Sequence, residues 1–473
     1  MRKGRHFAEV SRRPLSPPGS STPGSVLFVI AALTLALIIG FFSSQFPPNI
    51  IIWGGVTLAV FALTFINTEF GLYVLIFSML LSPEIMVGET AGASIGRGVT
   101  LRLEDFLLVV IGFSWFAKNA VIKELGLFLK TPLNKAIFLY ALVCALSTGF
   151  GIITGRVDPK TGLFYVLKYV EYFIVFFMTV NHVKNTDQVK RFAFCLLLTC
   201  FIVAVIGILQ IPGGGRISAP FEGERGEPNT FGGYLLFMGA IAAGMFSRAE
   251  TTHSKHLLAA LIVVIIPPFL FTLSRASYLA FIPTLIVLGI LMEKRFIVVG
   301  IVMISLALSP LFLPQEVKDR IFYTVNQARH EQQIKVGDVY LDTSTSARLR
   351  SWDEALKDWT RHPVLGYGVT GYHFVDAQLP RVLAETGIVG LMAFVYLLYS
   401  IAKTGINTLR DTRKPLFKGI AIGFLAGFTG LIVHALGANT FIIVRIMEPF
   451  WFFTGIIVVL PMLEQTEPSH SNP

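Results

Sequence analysis

The sequence predicts an all-α protein, a polytopic bundle of about 12–14 transmembrane spans with one large extracytoplasmic loop that contains short helices. Three observations predict it. Hydrophobic residues make up 53% of the chain and charged residues only 14%, with a mean hydropathy of +0.67, a balance that a soluble globule cannot keep from water. Apolar runs of about 20 residues recur from end to end, the length at which a helix crosses a bilayer core with every backbone N–H and C=O paired internally. Lys and Arg collect in alternate loops between those runs, as the positive-inside rule requires.

Taken from the N-terminus, Arg2, Lys3, Arg5, Arg12 and Arg13 charge a tail, residues 1–25, which ends in a Pro/Ser/Gly-rich run and reads as disordered and cytoplasmic. Residues 26–42 are apolar and no small-residue cleavage site follows them, so they read as a retained first span. Candidate spans centre near Leu35, Leu58, Phe77, Val110, Leu142, Val175, Val203, Met238, Val264, Ile286 and Met303, all within residues 26–313. Three more centre near Phe394, Gly423 and Ile456, within 386–463. The third is expected to break at Pro83, and the pair holding Pro267 and Pro283 to kink, because proline deletes a helical hydrogen bond.

An N-terminus inside the cell makes loops 118–135, 184–191, 248–255, 293–295 and 403–418 cytoplasmic, and all are basic. The outer loops are then 212–228, 274–276 and the long segment 314–385, and the tail 464–473 is cytoplasmic. The net charge of +10 is spread through short loops rather than gathered into a patch for nucleic acid. Cys144, Cys195 and Cys200 fall in apolar runs without metal-ligand spacing or a pairing pattern, and read as small core side chains. No metal site and no cofactor are expected.

Segment 314–385 is the one long polar stretch, and so the place for aqueous chemistry. Residues 315–335 have weak helical character. Residues 346–361 read as a capped amphipathic helix with an apolar stripe of Trp352, Leu356 and Trp359. Pro363 and Gly366 stop it, and Gly368 and Gly371 keep the backbone pliable before the chain re-enters the membrane.

Four groups of residues carry candidate chemistry. Lys168 and Glu171 lie three apart in a predicted span, a spacing that lets them neutralise each other as a structural pair or serve a substrate. Arg275, in Leu273-Ser274-Arg275, either snorkels to headgroups or grips phosphate with its forked guanidinium. The loop holding Gly213-Gly214-Gly215-Arg216 and Arg225 is either an ordinary turn or an anion cradle. The fourth group comprises Arg348, Arg350, Trp352, His362, His373, Asp376 and Arg381, where arginines beside a histidine or carboxylate suit transfer of a group from an anionic leaving group.

The order of these motifs resembles the O-antigen ligase family, which includes polysaccharide polymerases. An outer loop ends in Glu-Pro-Asn, a span ends in Leu-Ser-Arg, and an Arg/Trp helix follows. His-Pro-X-X-Gly-X-Gly comes next, and Leu-X-Glu-Thr-Gly-Ile-X-Gly opens the following span. The resemblance covers roughly residues 101–399 and is densest between 346 and 391.

What it implies is a metal-independent inner-membrane glycosyltransferase. Such an enzyme moves a glycan from an undecaprenyl pyrophosphate carrier to a lipid or glycan acceptor on the extracytoplasmic face. Arg216 or Arg225, Arg275, and Arg348 or Arg350 would match the pyrophosphate-holding arginines, with Arg381 as a further candidate. The family usually has a His-Asn pair eleven residues before the glycine matching Gly387, where this chain has Asp376-Ala377. The base that activates the acceptor hydroxyl is then Asp376, or His373 reaching in from one turn earlier. A transporter or flippase of anionic or lipid-linked solutes is the alternative from another class. It predicts charges along a passage at the bilayer midplane rather than polarity gathered on one face.

Overall fold

The computed structural model describes residues 48–89, 98–122, 129–220, 226–292, 300, 314–327, 333–336 and 339–466. It divides into two compact units between Ala59 and Val60. In the first, the described residues 48–59 are helical and form the start of α1 (Pro48–Ile66).

The second unit holds α2 (Thr68–Leu81), α3 (Leu103–Ile122), α4 (Asn134–Ile153), α5 (Pro159–His182), α6 (Thr186–Gln210), α7 (Pro228–Ser247), α8 (Thr252–Phe271) and α9 (Arg275–Leu291). It continues with α10 (Gln315–Asn326), α11 (Thr343–Trp359), α12 (Gln378–Asp411), α13 (Pro415–His434) and α14 (Val444–Thr466). Two short antiparallel strand pairs also occur among the described residues, β1 (Glu84–Glu89) with β2 (Gly98–Arg102), and β3 (Lys335–Val336) with β4 (Val339–Tyr340). Every helix except α10 and α11 coincides with a predicted span, and the spans expected near Leu35 and Met303 lie outside the described residues. Eight described helices are long and apolar enough to cross a membrane, which makes this a multi-pass membrane protein.

Local chemistry sets the helix ends. Asp158 accepts from the Thr161 amide (2.8 Å) with Pro159 in the first turn of α5, and Asn185 accepts from the Gln188 amide (2.9 Å) at the start of α6. Helix α2 stops at Leu81, just ahead of Pro83, as the sequence predicted. Helices α8 and α9 carry Pro267, Pro268 and Pro283 inside them and continue through.

Helix α14 is the centre of the unit. It is buried on nearly every face, as a helix that is hydrophobic all round must be, and it packs on α2, α5, α6, α7, α12 and α13. The tightest pair is α7 with α13, where Gly419, Gly423 and Gly427 recur every fourth residue. A Cβ on Gly244 would stand 2.3 Å from the Gly423 nitrogen, so the two backbones touch.

Helix ends alternate between two ends of the bundle. At one end the chain after α6, the α8–α9 turn, the start of α12 and the end of α13 meet; Arg216 Nε donates to the Thr272 carbonyl (3.1 Å) and the Gln378 amide to the Ala435 carbonyl (3.0 Å). At the other end Arg191 pairs with Glu69 (2.9 Å), and the Arg413 amide donates to Glu464 (2.7 Å).

A buried group of charges lies on α3, α5 and α14. Lys168 pairs with Glu171 (3.2 Å), as its spacing predicted, and also with Asp105, a partner 63 positions away. Glu448, fully buried, belongs to the same electrostatic neighbourhood and its carboxyl makes no hydrogen bond. Lys168→Met removes the cation shared by two buried carboxyls and is expected to cost about 3–5 kcal/mol, because an uncompensated buried charge is far worse than a missing pair. Thermal denaturation in detergent checks this, and the double variant Lys168→Met/Glu171→Gln should recover part of the loss.

Candidate functional site

The site assembles where segment 314–377 meets the helix ends. Helix α11 begins at Thr343, three residues ahead of the sequence expectation, because Asp342 caps it by accepting from the amides of Ser344 (3.0 Å) and Thr345 (3.3 Å). Its predicted stripe is also corrected. Trp352 packs inward as expected, with Ala355, Val375 and Ala384, but Leu356 is exposed.

Asp342 has a second partner. Arg275, the first residue of α9, grips the same carboxylate with both prongs, at 2.7 and 3.0 Å. Burial alone would raise this carboxyl, but hydrogen bonds from Arg275 and Thr345 hold it below its ordinary value.

Two more arginines close on the α8–α9 turn. Arg216 donates to the Thr272 carbonyl and to Asn229 (3.5 Å), and Arg320 from α10 donates to the Leu273 carbonyl (3.2 Å). Asn229 also accepts from Ser274 (2.8 Å), which ties the start of α7 to the same turn. Burial, followed by the charges of Arg320, Arg275 and Arg348, pulls the Arg216 pKa down to about 10. Four guanidiniums from four separate chain segments therefore share one field, an excess of positive potential that suits a multiply charged anion.

Arg348 in turn reaches Asp376, with Nε and Nη2 at 3.3 and 3.1 Å. That carboxyl is about one-third exposed (31%), so it is open to solvent beside the arginine cluster. His373 stands apart, its Nε2 3.9 Å from Glu354 and its ring against Tyr372. Arg350 lies two positions beyond Arg348, on another face of α11. Arg381 is engaged in a buried pair with Glu385 (3.1 Å), and Arg225 lies outside the described residues.

The structure adds residues that the sequence reading did not single out. Asp342 was signalled by Asp-Thr-Ser-Thr, a cap sequence ahead of the helix. Nothing local marks Arg320, which meets the cluster through the fold alone. His434, fully buried at the end of α13, bonds Thr440 through Nδ1 (2.8 Å) and feels the charge of Arg348.

A break in α12 fixes this end of the bundle. Gly387 has φ +66° and interrupts the helix, which would orphan the carbonyls before it and the amides after it. The His-Pro-X-X-Gly-X-Gly turn supplies partners for both. Tyr367 and Gly368 amides donate to the Ala384 (3.0 Å) and Glu385 (2.8 Å) carbonyls, and the Ile388 and Val389 amides donate to those of Pro363 (2.9 Å) and Val364 (3.3 Å). The two motifs that looked separate in sequence are one backbone lock.

Fold and site together define a polytopic membrane protein with an arginine-lined anion site at one end of its bundle. The O-antigen ligase family model matches residues 257–395, from α8 into α12, a stretch that holds Arg275, Arg320, Asp342, Arg348, Asp376 and Gly387. No curated protein matches the chain. The family match supports a membrane enzyme of polysaccharide biosynthesis, of the ligase-like glycosyltransferase kind, that acts on lipid-linked glycan and acceptor substrates.

Proposed function

We propose that this protein moves a glycan from an undecaprenyl pyrophosphate carrier to an acceptor at the extracytoplasmic face of the inner membrane. The observation that carries the reading is the convergence of Arg216, Arg275, Arg320 and Arg348 on one field, because a pyrophosphate leaving group needs several guanidiniums at once. On this reading the arginines supply the positive charge without a metal.

In the reaction the acceptor hydroxyl oxygen attacks the anomeric carbon, and the bond from that carbon to the pyrophosphate oxygen breaks with its electron pair leaving on the pyrophosphate. The hydroxyl proton passes to Asp376. This residue is preferred to His373 because it sits on Arg348, and phosphate oxygens that take over Arg348 would release the Asp376 carboxylate as a base. Donor binding would then prepare the base as well as the leaving group. Asp376→Asn is expected to lower kcat about 10²- to 10⁴-fold, the usual contribution of a positioned base.

The direct test incubates purified, reconstituted protein with undecaprenyl pyrophosphate-linked glycan, with and without a lipid A-core acceptor, and follows carrier release and product size. A single addition to lipid A-core identifies a ligase, and a ladder formed without it identifies a polymerase. No turnover from folded protein with either acceptor refutes the reading. The transporter alternative predicts instead movement of solute across the bilayer without any new glycosidic bond.

A further inference from the structure

Next to Asp376 the chain runs Tyr372-His373-Phe374-Val375, and the structure shows a row of rings there. His362 meets Tyr367 edge-on (centroids 4.6 Å), Tyr367 meets Tyr372 (5.1 Å), and Tyr372 lies against His373 (3.9 Å, planes 36° apart). The row is fixed from below. Both tyrosine hydroxyls donate to Asp358, Tyr367 to its carbonyl (3.1 Å) and Tyr372 to its carboxylate (2.8 Å), and Val375 is fully buried with its carbonyl held by Asn439 (2.8 Å). The outer member is open: the His373 side chain is 46% exposed, with Glu354 on the rim.

We propose that Tyr372 and His373, with Glu354 at the rim, form a subsite for a pyranose ring of the glycan, one loop step from the reacting centre. The apolar C–H face of a pyranose fits the electron-rich face of an aromatic ring, and its equatorial hydroxyls donate to a carboxylate. The subsite rests on the proposed glycan transfer for its place in the reaction. It assigns His373 to binding and leaves the proton to Asp376.

The test has two arms. In the first, saturation-transfer NMR of the nanodisc-embedded protein reads binding of methyl glucoside, methyl galactoside and methyl rhamnoside, without turnover. Wild type is expected to bind at least one of them in the millimolar range, His373→Ala about tenfold more weakly, and His373→Phe as wild type does. In the second, donor and acceptor are varied separately. His373→Ala is expected to raise KM about tenfold for the substrate whose sugar occupies the subsite, while His373→Phe restores it. The substrate whose KM moves tells donor from acceptor.

A loss of kcat in His373→Ala that His373→Phe does not restore makes His373 a proton-transfer group and overturns the subsite. Unchanged KM values, or no sugar binding by wild type at tens of millimolar, overturn it too. Binding that depends on His373 in a protein that transfers nothing upholds the subsite and refutes the transfer reading alone.

Discussion

Arg275→Ala is expected to lower glycan transfer by at least about a thousandfold, the scale at which an arginine facing phosphoryl charge contributes. Arg275 grips a single anionic group end-on through both terminal nitrogens, one to each oxygen of the Asp342 carboxylate. That carboxylate has the shape of a stand-in for phosphate. The same substitution has a structural cost, because Asp342 is fully buried and caps α11, so removing its cation leaves a buried charge alone.

The two effects separate with a second variant. Arg275→Ala/Asp342→Asn keeps a capping side chain and removes the unpaired charge, so it should regain much of the melting temperature that Arg275→Ala loses. It should not regain transfer. A double variant that transfers as wild type does would remove Arg275 from the site. The pair also sets a pH dependence: the folded Asp342 pKa is depressed, so its stabilisation is complete above the ordinary value of 3.8 and is lost as pH falls below it. A denaturation series in the acid range should show that loss in wild type and not in the double variant.

Gly387→Ala is the second large expectation, with destabilisation of at least about 3–5 kcal/mol or no folded protein. Two causes combine. The backbone sits at φ +66° with ψ −168°, which L side chains avoid, and a Cβ would lie 2.2 Å from the Val364 carbonyl oxygen. Relief of that clash requires the 363–368 turn to move, and that turn carries the partners of four α12 backbone groups. Expression yield and melting temperature in detergent test it. Gly390→Ala is a poor control, because a Cβ there would meet Thr386 at 1.9 Å; Gly54→Ala, with nothing within 4 Å, is the suitable one.

Much of the architecture was legible in the sequence because lipid leaves a helix little choice. Apolar length and the alternation of Lys and Arg follow from backbone pairing and charge, and both can be read one segment at a time. The twelve predicted spans that fall among the described residues are all helices. The Lys168–Glu171 pair was legible for the same reason, since partners three apart on a helix are neighbours whatever surrounds them.

Contacts between distant segments were not legible. Asp105 lies 63 positions from Lys168 and Asp342 lies 67 from Arg275, and no local rule links them. Arg216, Arg275, Arg348 and Arg381 looked alike in sequence as candidate anion ligands. The fold gathers the first three with Arg320 and sends Arg381 to Glu385.

What the sequence by itself determined was therefore the class of protein, the number of spans within reach of a count, and the stretch in which polar chemistry is concentrated. Each of these depends on side chains close together in the chain. Which arginines share a field, which carboxyl they hold, and why two glycine motifs are needed together were decided only by the tertiary structure. Those properties depend on the packing of helices far apart in sequence, where a guanidinium or a glycine gains its role from what stands opposite it.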